Sequence, residues 1–253
     1  MAKFEPTGDA FLRATRYANM GPSSEELGEP FPQYLAASDP NLPRVALPDP
    51  TLFTPPDNNF YQLALNRRTH RRYDTEAFMS LAELGYLLLL TQGLREAPQP
   101  EKVTRRYVPS AGSRHPFETY LAVQRVSDLE PGIYHYLPEP HALEVFRPGN
   151  QSLKEAHAAT TNQRQVLTSA VTFFWAAEVY RTSWRYGTRA YRYIDIDAGH
   201  VCQNLYLAAE SIGYGVCAIA AFKDEQANAV LDLDGQERFT AYIASVGKKV
   251  QPA

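Results

Sequence analysis

Cysteine is scarce: the 253 residues hold only Cys202 and Cys217, whose spacing fits neither a zinc site nor a disulfide scaffold. Both read as buried thiols of a reducing compartment. Long apolar runs are missing too. The longest, residues 84–90 and 216–222, fall far short of the roughly 18 residues of a membrane span. The opening MAKFEPTGDAFLRA lacks the apolar stretch of a secretory signal. There is no basic excess; a formal charge of −3 argues against a dedicated nucleic-acid binder. Nor does the chain contain a G-x-S-x-G elbow, an H-E-x-x-H pair or a complete G-x-x-x-x-G-K-[ST] loop. These absences lead to the expectation of a cytoplasmic protein with neither membrane nor nucleic acid as a partner. With 44% hydrophobic and 12% aromatic residues, the chain can bury a real core.

Ten of the nineteen prolines fall in the first 56 residues, too many for long helices. Residues 1–56 therefore read as an arm packed on the core, with one short helix around residues 10–18. Residues 57–253 read as a single domain. Asp57-Asn58-Asn59 can cap a helix over 60–66, and Ser80-x-x-Glu83 is a capping box for a buried helix over 81–92. FETYLAVQRV, IYHYL and ALEVF read as strands, the last two as a hairpin. Helices follow over 152–169, then the buried strand AVTFFWAAE and a long helix over 194–212. A strand over 214–221, a helix over 224–231 and a strand over 239–246 complete an α+β domain with a mixed, mainly antiparallel sheet.

Three segments carry chemistry. Arg67-Arg68-Thr69-His70-Arg71-Arg72 places four guanidinium groups in six residues. If the chain is extended there, Arg67, Thr69 and Arg71 share one side and suit a phosphate monoester; the alternative is a solvated charge run. Ser110-Ala111-Gly112-Ser113 is small enough for a flat ligand to approach the backbone, or it is an ordinary turn. In the third segment, residues 183–193, arginines alternate with aromatics and fit either an anionic or peptide pocket or a subunit contact. Ala198-Gly199 and Ala208-Ala209 would let the long helix pack close to a neighbour. Asp195, Asp197 and His200 share a helix but do not make a metal site, and none is expected.

In this order, NRRTHRRYD, RRYVPSAGSRHPFETY, PGIYHYLPEPHALE, RYGTRAYRYIDIDAGHVCQNLYLAAESIGYG and TAYIASVG resemble the nitroreductase superfamily. Within it, the likeness is to the SagB-type dehydrogenases, which include azoline oxidases of peptide-modifying pathways. The resemblance implies an intertwined homodimer with FMN at its interface. It implies that Arg67, Arg68, Thr69 and Arg71 hold the phosphate and ribityl chain. Ser110, Ala111, Gly112 and Ser113 would lie along the ring. Ala218, Ile219, Ala220 and Ala221 would pass a backbone N–H near flavin N5, and Lys248 is the candidate late basic residue on the phosphate. Azoline oxidases have a Lys-Tyr pair where this chain has Arg185-Tyr186. Arginine does not serve as a base near neutrality, so Tyr186 is left to donate or accept a proton or to orient the substrate, with Arg185 beside it to manage charge.

The expected function is FMN-dependent dehydrogenation of a peptide-derived or natural-product heterocycle, azoline to azole, with electrons passed to oxygen or another acceptor. The alternatives are an NAD(P)H-dependent nitro or quinone reductase and a non-catalytic partner subunit of a biosynthetic complex.

Overall fold

A computed structural model of the chain describes residues 6–36, 38–99 and 103–250. The arm begins with α1 (Pro6–Ala14), about one turn earlier than the sequence pattern places it. Thr15 Oγ1 donates to Phe11 O at 2.6 Å and Arg16 turns extended, which ends the helix before residue 18. The arm also contributes a strand that its composition hides, β1 (Arg44–Ala46).

Capping fixes the next two helices. Asn59 accepts the N–H of Gln62 at 3.2 Å to start α2 (Phe60–Asn66). Before α3 (Leu81–Gln92), the Glu83 N–H donates to Ser80 Oγ at 3.2 Å and the Ser80 N–H donates to Glu83 Oε2 at 2.8 Å. The chain continues through β2 (Phe117–Val123), β3 (Gly132–Leu137), β4 (Ala142–Pro148), α4 (Asn150–Ala159), α5 (Arg164–Thr168) and β5 (Val171–Glu178). It ends with α6 (Val179–Tyr186), α7 (Ala190–Ser211), β6 (Tyr214–Ile219), α8 (Asp224–Val230) and β7 (Arg238–Lys248).

The seven strands lie in the order β1-β4-β3-β2-β5-β7-β6, and all six pairings are antiparallel. Among the described residues, parallel pairing is confined to the isolated bridges Thr69–Val216 and Met79–Val126. Successive residues of β5 serve opposite faces. Phe173 and Trp175 join Leu87, Leu88, Val201 and Leu205 beneath α3 and α7, whereas Phe174 joins Ala156, Val166 and Val230 beneath α4, α5 and α8. Helices cover both faces, so β5 is apolar nearly throughout rather than alternating.

The arm is fastened by buried cations. Arg181 Nε donates to Gln33 O at 2.9 Å and its Nη2 to Glu118 Oε1 at 2.5 Å, while Glu118 also accepts from Ala36 N at 3.0 Å and pairs with His135 Nε2 at 3.0 Å. Burial alone would raise the Glu118 carboxyl, but Arg181 and His135 outweigh it and hold the group well below the usual range. Arg114 lies between Phe31 and Trp184, at 4.6 and 4.9 Å from their ring centres.

Two arginines of the third segment, Arg189 and Arg192, are tied to the arm. Arg189 Nη1 donates to Thr15 O at 2.7 Å, and Arg192 donates to Thr15 Oγ1 at 2.6 Å and Leu12 O at 2.8 Å. Gly199 makes no close helix contact; it is exposed, with open space where a Cβ would stand.

Cys202 and Cys217 are buried and unpaired, and burial pushes Cys202 up to about 12. Among the described residues, no helix is long and apolar enough to cross a membrane and no group of three metal-ligating side chains converges.

Candidate functional site

The arginine run leaves α2 in extended conformation and lies against the edge strand β6. Thr69 bridges Val216, and the His70 N–H donates to Val216 O at 2.9 Å. This close approach needs two glycines. Gly215 and Gly247 face each other in register on β6 and β7. A Cβ on Gly215 would stand 2.5 Å from the His70 side chain, and one on Gly247 would stand 2.6 Å from the Tyr73 ring. Tyr73 is then anchored from beneath, its hydroxyl donating to His70 O at 2.8 Å.

Tyr206 of α7 gathers the first half of the site. Its hydroxyl accepts the Ala218 N–H at 3.0 Å and shares a 3.2 Å hydrogen bond with Thr69 Oγ1. Its ring lies 5.3 Å beneath the Arg67 guanidinium. Arg67, Thr69 and Ala218 therefore meet at one aromatic side chain. Arg68 is turned elsewhere; its Nη1 donates to Leu65 O at 2.7 Å and Arg67 O at 2.9 Å, closing the end of α2. Arg71 lies against the Cys217 thiol. None of Arg67, Arg68, Arg71 and Arg72 has a carboxylate partner among the described residues.

Lys248 stands outside this cluster. Its Nζ donates to Ile212 O at 3.3 Å and covers the Tyr214 ring at 4.5 Å, while Lys249 pairs with Glu210 at 2.5 Å. Ile219 is buried at the end of β6, and Ala220 and Ala221 are exposed beyond it.

Asp197, also on α7, gathers the second half. Its Oδ2 accepts from Ser110 Oγ at 2.5 Å and its Oδ1 from the Ala111 N–H at 3.2 Å; Ser110 Oγ accepts in turn from the His115 N–H at 2.9 Å. Burial raises the Asp197 carboxyl despite these bonds. Gly112, Ser113 and His115 all lie in left-handed conformation, with φ of 56°, 53° and 45°. For the two non-glycine residues this carries a strain of about 1–3 kcal/mol each, which the Asp197 clamp helps to hold.

Gly112 turns its bare Cα toward α6. A Cβ there would stand 2.5 Å from the Tyr186 hydroxyl. Tyr186 packs edge-on against Tyr193 at 4.7 Å, and Arg185 Nε pairs with Glu25 at 3.2 Å. His115 is buried beside this loop. Burial and then the nearby Arg106 bring its pKa down to about 3, so the imidazole stays neutral.

Asp197 and Tyr206 are nine positions apart on α7. At about 100° per residue they project from opposite faces of the helix. The cluster of Arg67, Thr69 and Ala218 and the loop of Ser110, Ala111, Gly112 and Ser113 are therefore anchored on opposite faces of α7.

The donor chemistry of the first half fits a phosphate monoester such as that of FMN: unneutralised guanidinium groups beside a hydroxyl. The second half offers backbone without side-chain bulk, as a planar ring requires. Tyr206 and Asp197 were not singled out for these roles by the sequence. Tyr206 lies within the long helix with no spacing signal of its own, and Asp197 reads as one of three acidic and histidine residues on a helix.

A profile of the nitroreductase family matches residues 64–248. A candidate nitroreductase of Methanocaldococcus jannaschii is 30% identical over 187 residues, covering 74% of this chain and 89% of that protein. The trifolitoxin-processing protein of Rhizobium leguminosarum bv. trifolii is 31% identical over 134 residues, 51% of this chain and 36% of that protein. The microcin B17-processing protein of Escherichia coli is 28% identical over 148 residues, 54% of this chain and 52% of that protein. The matches thus span about a third and about half of the two processing proteins. Among solved structures, a candidate nitroreductase of Anabaena variabilis superimposes with a TM-score of 0.66 at 28% identity, over 83% of this chain and 42% of that one.

Proposed function

The chain belongs to the nitroreductase family of oxidoreductases, and we propose that it is an FMN-dependent enzyme that dehydrogenates a peptide-derived or natural-product heterocycle of the azoline type. The observation that carries this reading is the convergence of Arg67, Thr69 and Ala218 on Tyr206 within a run of arginines that have no carboxylate partner among the described residues. A large cation cluster left without carboxylates at a sheet edge is favourable when an anion occupies it. The toxin- and microcin-processing relatives support a peptide-derived substrate.

Bound FMN would supply the two-electron acceptance that no side chain of this protein offers. Arg67, Thr69 and Arg71 would hold its phosphate, and Ser110, Ala111, Gly112 and Ser113 would line its ring. The two halves are anchored on opposite faces of α7, so we place the complete site between two copies of the chain. Exposed Phe60, Tyr61 and Leu65 on α2 and Ile196 on α7 provide apolar surface for that contact. Tyr186 would donate or accept the substrate proton from beside Gly112, and Arg185, steadied by Glu25, would balance developing charge.

A second reading is an NAD(P)H-driven reductase, favoured by the relative from M. jannaschii, of which 89% is covered. An absorbance spectrum followed by anaerobic addition of NADPH and NADH separates them. The dehydrogenase reading expects bound FMN that stays oxidised with either nucleotide. Rapid bleaching would establish the reductase instead, and failure to bind FMN would overturn both.

A further inference from the structure

The arm does more than brace the fold: it roofs Tyr186. A cavity of about 370 Å³ lies between Tyr17, Met20, Glu25 and Glu26 of the arm and Arg185 and Tyr186 of α6. That volume falls within the range of small-ligand pockets, roughly 300–1,000 Å³. This arm segment precedes residues 64–248, the stretch matched by the nitroreductase family profile.

The roof is fastened at defined points. The Glu25 N–H donates to Trp184 O at 2.8 Å, and Trp184 Nε1 donates to Glu29 O at 3.0 Å. Glu26 accepts from the Ser23 N–H at 2.8 Å and from Ser23 Oγ at 3.1 Å. Those two hydrogen bonds hold its carboxyl below the usual range, so it is ionised at neutral pH. Glu25 is matched by Arg185, but Glu26 has no cationic partner among the described residues. The cavity lining therefore presents two carboxylates against the Arg185 guanidinium, with the buried Arg114 near enough to Glu25 for their charges to interact, and it ends at the tyrosine that touches the Gly112 loop.

We propose that this cavity receives the stretch of a peptide substrate flanking its heterocycle, and that Glu25 and Glu26 select a basic residue there over an acidic one. The proposal rests on the dehydrogenase reading for the identity of the peptide, and on the cavity and its charges for the preference.

The test uses the full chain supplied with FMN and two short synthetic peptides containing a thiazole, flanked by lysine in one and by glutamate in the other. An already oxidised ring binds without turnover, and binding is followed by calorimetric titration. The lysine peptide is expected to bind about fivefold more tightly, as a partly exposed charge contact allows. The double variant Glu25→Gln/Glu26→Gln leaves the Arg185 guanidinium without a counter-charge and should reverse the preference, the glutamate peptide then binding up to about fivefold more tightly. Equal affinities in the unaltered protein, no binding of either peptide, or a preference that survives in the double variant would overturn the proposal. A protein that keeps the preference yet oxidises no azoline peptide would instead count against the dehydrogenase reading alone.

Discussion

Tyr206→Phe removes one oxygen from the centre of the phosphate half-site and leaves the ring beneath Arg67. That oxygen serves Ala218 N at 3.0 Å and Thr69 Oγ1 at 3.2 Å. Two net hydrogen bonds of about 1 kcal/mol each give an expected destabilisation of about 2 kcal/mol. For a domain of this size that lowers Tm by about 4–8 °C. Thr69 loses the contact that orients its hydroxyl, so FMN affinity should fall by about 1 kcal/mol, or five- to tenfold. Quenching of flavin fluorescence on titration gives the Kd, and thermal melting gives the stability. Tyr206→Ala also takes away the ring 5.3 Å from Arg67 and should cost a further twofold to fivefold in affinity. If Tyr206→Phe lowers Tm but leaves the FMN Kd within twofold of the unaltered protein, the hydroxyl is a strut only and the proposed cradle is wrong.

Three other perturbations probe separate parts of the structure. Gly112→Ala places a Cβ in left-handed backbone 2.5 Å from the Tyr186 hydroxyl. Stability should drop by about 1–2 kcal/mol, and kcat should fall at least tenfold as Tyr186 is displaced; unchanged turnover would separate Tyr186 from the reaction. Glu118→Gln leaves Arg181 buried without its counter-charge and weakens the seat of Ala36. A loss of about 3–5 kcal/mol in urea melts is expected, with faster proteolytic cleavage before residue 57; an arm that remains protected would show that it is held by other contacts. His115 is neutral when folded, with a pKa near 3 against about 6.5 unfolded, so protons favour the unfolded chain below pH 6.5. Stability should therefore decline as pH falls from 6.5 toward 3, by up to about 1.4 kcal/mol per pH unit from this residue. His115→Asn should flatten that slope between pH 6 and 5, and identical slopes would refute the assignment.

Elements whose ends are written in local chemistry were legible in the sequence. Helices α2 and α3 begin and end where Asn59 and the Ser80–Glu83 box place them. Strand β1 was not, because three residues in a proline-rich stretch become a strand only by pairing with Ala142, Leu143 and Glu144. In the site, alternation along an extended chain is a local property, so the sequence could set Arg67, Thr69 and Arg71 on one side and Arg68 on the other; in the structure Arg67 and Thr69 meet at Tyr206 and the Arg68 side chain turns back to helix carbonyls. Spacing could not show that Lys248 is taken up by Ile212 O and the Tyr214 ring. Tyr206 and Asp197 owe their roles to partners more than 80 positions away in sequence, Thr69 and Ser110. No periodicity within α7 encodes such a contact. The arginines at 189 and 192 had the composition of a binding face, yet their partners are carbonyls and a hydroxyl of the arm.

The seven-stranded sheet ends at one border in the arm's three-residue strand β1 and at the other in β6, against which the arginine run lies. At one border β1 lies along β4, and at the other Thr69 and His70 engage Val216 of β6. An open border would offer unpaired N–H and C=O groups to the same border of another molecule, a route to filaments and precipitates. Trimming the protein back to residue 57 would uncover β4 while leaving β6 protected. Such a shortened form would gain one adhesive edge, and its growth by edge-to-edge pairing would stop at pairs of molecules.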